Sequence, residues 1–342
     1  MSKARKLAGE TAFDPETVTN AKQQGAKVPP TANRAEQWSL RRLLEFLGQP
    51  PITLVLWDGT SLSPQAAESV GQVVIKDRRA LHRLVANPGF EFGELYSSGR
   101  IDVEDNLVDC LNVVYRALKR TAHPNGLRGR FAKTLALRTR NDKSHAPENI
   151  RHHYDIGNDF YRLWLDQQMI YTCAYFETND ATLEQAQIAK LDHVCRKLQL
   201  KPGQCVVEAG CGWGALALHM ARHYGVKVKA YNISREQIAY ARERARGEGL
   251  DNRVEFIESD SRNIAGEFDA FVSVGMLEHI GVGNYPELGK LIGRVLKESG
   301  RGLVHSIGRD SPGPMNAWIE RRIFPGAYPP SLSEMMVLFE PN

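Results

Sequence analysis

A carboxylate and three glycines alternate along Cys205-Val-Val-Glu-Ala-Gly-Cys-Gly-Trp-Gly214, at positions Glu208, Gly210, Gly212 and Gly214. Glycine lets a backbone approach a ligand where any Cβ would clash. The apolar run Cys205–Ala209 reads as a strand, and Ala215–Arg222 as a helix whose first N–H groups are free for a ligand. A nucleotide-like cofactor is held in this way at the carboxyl edge of an α/β sheet. Gly210-x-Gly212-x-x-Ala215 also fits the loose dinucleotide pattern, and a tight turn without ligand is the bland alternative. A dinucleotide site wants an acid at the end of the next strand. That strand, Val226–Ala230, runs instead into Tyr231-Asn232-Ile233-Ser234. Glu208, two residues before the first glycine, would repel a pyrophosphate. It suits the cationic amino-acid end of S-adenosylmethionine.

Three further segments carry residues that a fold does not require. His152–Tyr161 and Met169–Phe176 crowd Tyr154, Tyr161, Tyr171, Tyr175 and Phe176 around Gly157 and Cys173, as a substrate chamber would. In a helical bundle the same aromatics would be plain core. Gly275-Met-Leu-Glu278-His279-Ile-Gly281 follows one strand, and His305-Ser306 ends another. Side chains just past strand carboxyl ends face the site of an open α/β sheet. Glu278 and His305 are therefore placed to hold or accept a proton. No nucleophilic serine elbow and no metal-ligand spacing is present in the sequence.

Positioning these residues takes an alternating fold. Strands are expected at Cys205–Ala209, Val226–Ala230, Val254–Glu258, Ala270–Val274 and Gly302–Ser306, with helices at 214–224, 234–247 and 285–297. Such alternation implies an α/β, doubly wound, mainly parallel sheet. Ahead of it, residues 33–120 read as a small α+β domain. It has an amphipathic helix Arg34–Leu47 with Trp38, Leu43, Leu44 and Leu47 inward, strands Ile52–Trp57 and Val73–Ile75, and a helix Arg78–Ala86 capped by Asp77. A turn-rich stretch Phe90–Gly99 and a helix Glu104–Lys119 complete it.

Residues 1–32 are polar and read as a disordered tail. The stretch Arg116–Arg151 sets ten cations against Asp142 and Glu148. It reads as a solvated basic linker (121–150) or as a surface for anionic lipid headgroups, each cation contributing about 1 kcal/mol. No nucleic-acid-binding module accompanies it. The net charge of +4 gives no sign of a whole-molecule polyanion binder, and the five scattered cysteines read as reduced thiols of a cytoplasmic protein. No apolar run approaches a membrane span.

Taken together, His153–Phe160, Tyr171-Thr-Cys-Ala-Tyr175, Val207–Gly214, Ser234-Arg-Glu-Gln237, Gly275–Gly281 and His305-Ser-Ile-Gly308 resemble the cyclopropane fatty acid synthases. The resemblance covers residues 150–310 and extends loosely to the N-terminal domain, which it makes lipid-engaging. It implies a Rossmann-like methyltransferase domain at 151–342. The reaction implied is attack of a cis double bond of a membrane phospholipid on the sulfonium methyl. A carbocation follows, and bound bicarbonate removes a proton to close the ring. The bicarbonate holders map to Cys173 and Ile307 (backbone), Glu278 and His305, with Tyr175 on the same catalytic side. Cofactor contacts map to Tyr171, Glu208, Gly210, Gly212, Trp213, Gly214, Asn232, Gln237, Asp260 and Ser261. Tyrosine faces such as Tyr154, Tyr171 and Tyr175 would steady a cation by about 0.5–2 kcal/mol each.

A peripheral position on the inner membrane face and a homodimer are further expectations. The family's sheet continues with more strands, a helix and a tyrosine directed at the bicarbonate, so a truncated C-terminal sheet edge is expected here. A methyl-branched or methylene product, a soluble acceptor, and a non-catalytic lipid- or cofactor-binding remnant are the alternatives.

Overall fold

The computed structural model describes residues 30–64, 68–121 and 157–340. Most of the expected tail, nearly all of the basic linker and the aromatic residue Tyr154 lie outside them. The chain divides into two compact units. One comprises the described residues up to 85 together with 99–118, and the other comprises 86–98 together with those from 119 onward.

In the first unit, helix α1 (Arg34–Phe46) opens on a capping box in which Asn33 and Glu36 satisfy each other's backbone N–H groups. Residues 30–32, expected in the tail, are tied down. Trp57 Nε1 donates to Pro30 O at 2.7 Å and Ala32 N to Asp58 Oδ2 at 2.6 Å. Strands β1 (Thr53–Leu56), β2 (Ser61–Leu62) and β3 (Gln72–Ile75) lead to helix α2 (Arg78–Ala86). Trp38, expected inward, is exposed, while Glu36 is buried and paired with the Arg78 guanidinium. The inner face of α1 is Glu36, Leu40, Leu43 and Leu44, a 3–4 spacing that leaves Trp38 outside it.

The stretch expected to be turn-rich is helix α3 (Pro88–Ser97), with Pro88 in its first turn, where the missing N–H costs nothing. Strand β4 (Ile101–Glu104) then precedes helix α4 (Leu107–Thr121), so the expected helix start at Glu104 falls in a strand. The sheet order is β2-β1-β3-β4, with β1 and β3 parallel and both outer pairs antiparallel.

The second unit holds α3, a short helix α5 (Asn158–Arg162) and helix α6 (Leu183–Leu198), which the sequence reading missed. Then come β5 (Cys205–Ala209), α7 (Ala215–Tyr224), β6 (Lys227–Asn232), α8 (Arg235–Gly247), β7 (Val254–Glu258), β8 (Phe268–Val274), α9 (Tyr285–Val295) and β9 (Leu296–His305). Short helices α10 (Ala317–Arg322) and α11 (Leu332–Met335) follow, α11 passing into a 3-10 turn at Met336–Leu338.

The five strands are all parallel in the order β7-β6-β5-β8-β9. One face packs Val206, Val228 and Val272 against α6, α7 and α8, and the other packs Val207 and Phe271 against α9. Strand order reverses between β5 and β8. The crevice outside their carboxyl ends is where such sheets bind ligands. Both β5, which ends at Glu208-Ala209, and β8, which is followed by Gly275–Glu278, deliver their motifs there.

Candidate functional site

The loop after β5 opens a cavity. Gly210, Gly212 and Gly214 all have left-handed backbone (φ +84°, +55° and +86°), which the loop needs to turn back into α7. They differ in what surrounds them. A Cβ at Gly210 would sit 3.1 Å from Met276, and one at Gly214 2.6 Å from the Phe256 ring, whereas one at Gly212 meets no atom within 4 Å. Gly214 is thus a packing glycine between α7, α8 and β7, and of the cofactor candidates it alone does not line the cavity. Tyr171, Glu208, Gly210, Gly212, Trp213, Asn232, Gln237, Asp260 and Ser261 all do.

Several of these side chains hold one another. Asn232 Nδ2 donates to Gln237 Oε1 at 2.6 Å and Gly212 O at 3.3 Å, and Ser234 caps α8. Asp260 accepts from Arg262 Nη2 at 2.6 Å. Glu208 is 3% exposed, and its Oε2 has no hydrogen-bond partner among the described residues. Burial pushes its carboxyl up to about 8, against the opposing pull of Lys190.

A second cavity adjoins the first and shares Tyr171, Thr172, Gly275 and His279 with it. The shared wall is tight. Gly275 lies so close to Thr172 that a Cβ there would meet its Cγ2 at 2.6 Å. Cys173, Glu278, His305 and Ile307 all line this second cavity. Glu278 sits on a 3-10 turn (Leu277–His279), where Ile307 N donates to its Oε1 at 2.6 Å. Tyr328 N donates to the Glu278 carbonyl at 2.7 Å. Among the described residues, Glu278 Oε2 and His305 Nδ1 are buried without a hydrogen-bond partner. Burial raises the Glu278 carboxyl and lowers the His305 imidazole, favouring the neutral form of each.

Tyr175 is not brought to either cavity. It is 44% exposed and stacked on His193 at 4.8 Å, because its chain segment has already left the sheet edge for the N-terminus of α6. The aromatic cluster beside the cavities is instead Tyr161, Trp164, Tyr171, Trp213 and Phe324, of which Tyr171, Trp213 and Phe324 line them. Tyr161 lies 4.9 Å from Trp213, and Trp164 5.0 Å from Tyr171, centroid to centroid. Trp213 is fixed by donating to Asn158 Oδ1 at 2.7 Å. Of these, Trp164 and Phe324 were not read as chemical residues. Lys190 and Gln187 were missed with helix α6, although Thr182-x-x-Gln185 is a legible capping box.

Residues 141–341 match the family model described as mycolic acid cyclopropane synthetase. A probable fatty acid methyltransferase of Pseudomonas putida is 34% identical over 295 residues, covering 83% of this chain and 72% of that protein. The cyclopropane-fatty-acyl-phospholipid synthase of Escherichia coli K12 is 38% identical over 270 residues, covering 75% and 69%. Among solved structures, mycolic acid cyclopropane synthase CmaA1 complexed with SAH and CTAB superposes with a TM-score of 0.53 at 32% identity. That match covers 56% of this chain and 72% of that one.

Proposed function

The chain belongs to the mycolic acid cyclopropane synthetase family and is an S-adenosylmethionine-dependent methyltransferase of Rossmann-like fold; from that premise we propose that it converts the cis double bond of a phospholipid acyl chain into a cyclopropane ring. The observation that carries this reading is the pair of adjoining cavities. Each contains a buried carboxylate with one free oxygen, Glu208 on one side and Glu278 on the other.

The donor, when bound, supplies an electrophilic methyl group on a positively charged sulfur. The first cavity fits it. Glu208 offers its unpartnered oxygen to the cationic amino-acid end, and Gly212 leaves open space beside the loop. Asn232, Gln237, Asp260 and Ser261 line the remainder. Tyr171, in the shared wall, stands at the passage to the second cavity.

Addition of a methyl group to a double bond leaves a cation on the acyl chain, and loss of one proton closes the ring. Water must be kept from that cation, and the apolar and aromatic lining of Tyr171, Met315, Phe324 and Ala327 serves that end. Bicarbonate, when bound, supplies a base. Glu278 Oε2 and the His305 imidazole are the free groups that would hold it, with the backbone of Cys173 and Ile307 beside them. On the same reading the N-terminal unit engages lipid, and the protein works as a peripheral, homodimeric enzyme on the cytoplasmic face of a membrane. Among the described residues no helix is long and apolar enough to cross a membrane. Leu163, Phe160 and Trp164 expose apolar surface, and Phe160 packs edge-on against Tyr161 and Trp164 of the aromatic cluster.

The test is transfer of a labelled methyl group from S-adenosylmethionine to vesicles of mono-unsaturated phospholipid, with saturated vesicles as control. Label confined to the unsaturated lipid supports the proposal. Label equally in both, or none despite bound donor, defeats it.

A further inference from the structure

Helix α6 sends two polar side chains into the space behind the shared wall. Their spacing of three puts Gln187 and Lys190 on the buried face of the helix, alongside Leu191 and Val194. Gln187 Nε2 donates to Thr172 O at 2.9 Å, and Lys190 Nζ donates to Thr172 Oγ1 at 2.7 Å. Lys190 is only 6% exposed, and it lines the same cavity as Glu208. A buried ammonium beside a buried carboxylate is costly unless something uses the pair. Here the carboxylate lines a cavity assigned to a cation, and one of its oxygens has no hydrogen-bond partner among the described residues.

On the reading of that cavity as the donor site, we propose that Lys190 is a positioning residue. It clamps Thr172 in the wall common to both cavities. Its charge also draws Glu208 towards the ionised form that a cationic donor requires.

The groups facing Lys190 come from three directions. Glu208 lies on β5, Asp166 in the loop after α5, and Cys173 in the wall segment. His305, at the end of β9, feels the ammonium as a repulsion. Asp166 is already committed to the N–H groups of Gln168 and Ile170 at 3.0 and 2.7 Å. Asp260, the other carboxylate lining the cavity, is tied to Arg262, whereas Glu208 has an oxygen without a partner among the described residues. Burial lowers Lys190 and raises Glu208, and each charge opposes the other's shift, so the two titrate as a coupled pair. Without the ammonium, Glu208 is left as a carboxyl in an apolar wall. It holds its proton to higher pH, and a protonated Glu208 attracts no cation.

The experiment measures S-adenosylmethionine binding calorimetrically from pH 6.5 to 9 for the wild type and for Lys190→Met, Lys190→Gln and Lys190→Arg. The donor's own amino group titrates identically in all four, so ratios of affinity isolate the protein. Lys190→Met and Lys190→Gln are expected to bind about tenfold or more weaker than wild type near pH 7, the size of effect an adjacent opposite charge exerts on a carboxyl, with the gap closing towards pH 9. Lys190→Arg is expected to track the wild type. Lys190→Gln can still donate to Thr172 and should keep more turnover at saturating donor than Lys190→Met. A wild-type-to-variant ratio constant across pH overturns the electrostatic role. Equal turnover of the Gln and Met variants overturns the clamp. Should Lys190→Met fail to fold, Gln against Arg carries the electrostatic comparison, and turnover of Lys190→Gln near wild type, at saturating donor, supports the clamp. Failure of the wild type to bind S-adenosylmethionine at any pH would instead defeat the assignment of the cavity.

Discussion

Replacing Glu278 by Gln removes one charge and almost no volume, from a side chain that is 6% exposed. The amide oxygen can keep the 2.6 Å hydrogen bond from Ile307 N. The amide NH2 then takes the position of Oε2, which has no protein partner. Burying an unsatisfied donor costs about 1–3 kcal/mol, offset in part because burial already disfavours the carboxylate there. The variant should therefore fold, with a modest fall in Tm. Its chemistry should fail. A positioned group that accepts a proton, or holds the one that does, contributes about 10²–10⁴ in rate, equivalent to roughly 3–5 kcal/mol of barrier. Glu278 lines the second cavity and not the first. Donor affinity should accordingly stay within about threefold, since no contact in the first cavity is removed. Methyl transfer to mono-unsaturated vesicles, with calorimetry of donor binding in parallel, separates these quantities. Turnover within a few-fold of wild type would refute the role given to Glu278. So would a loss of turnover fully explained by lost donor binding.

The other predictions separate packing from binding. Gly214→Ala forces a Cβ to within 2.6 Å of Phe256 at φ +86° and should destabilise the fold by about 2–4 kcal/mol, read as a lowered Tm. Gly212→Ala meets no protein atom and should cost only about 1 kcal/mol of stability, so its larger effect is expected in donor titration. Burial holds His219 below its ordinary 6.5 despite the Asp192 hydrogen bond at 2.9 Å. The stability this contributes is present above pH 6.5 and lost as pH falls through the depressed folded value, so thermal melts of His219→Gln should decline less between pH 7 and 5. Tyr175→Phe should leave turnover within about twofold, as a surface change does; a tenfold loss would return Tyr175 to the site.

The parallel sheet and its carboxyl edge were legible because β5 and the Ala270–Val274 part of β8 are short apolar runs bounded by glycine or charge, and because Gly210, Gly212 and Gly214 punctuate the sequence before α7. Glu278 and His305 were legible as residues just past strand carboxyl ends, whereas Cys173 and Ile307 joined them through resemblance, and the sheet topology explains the grouping. Two crossovers end on neighbouring strands, β8 and β9, and Tyr328 and Ile307 donate to Glu278 from outside the strand core.

What was missed depends on tertiary contact. Gly89 and Gly93 made α3 look like a turn, but Gly93 is where the Trp318 ring presses on the helix, and Trp318 Nε1 donates to Glu94 at 3.0 Å. Lys190 drew no reading, because nothing local reveals that Thr172 lies opposite it. Trp38 looked like core because hydrophobicity was weighed above helical phase, and Glu36 with its Arg78 partner took the inner position instead.

Product analysis tests the central claim most directly. Mono-unsaturated phospholipid incubated with the protein and S-adenosylmethionine should yield acyl chains heavier by one CH₂, with the olefinic proton resonances replaced by those of a three-membered ring. Acyl chains of unchanged mass, under conditions where calorimetry finds the donor bound, would contradict the account.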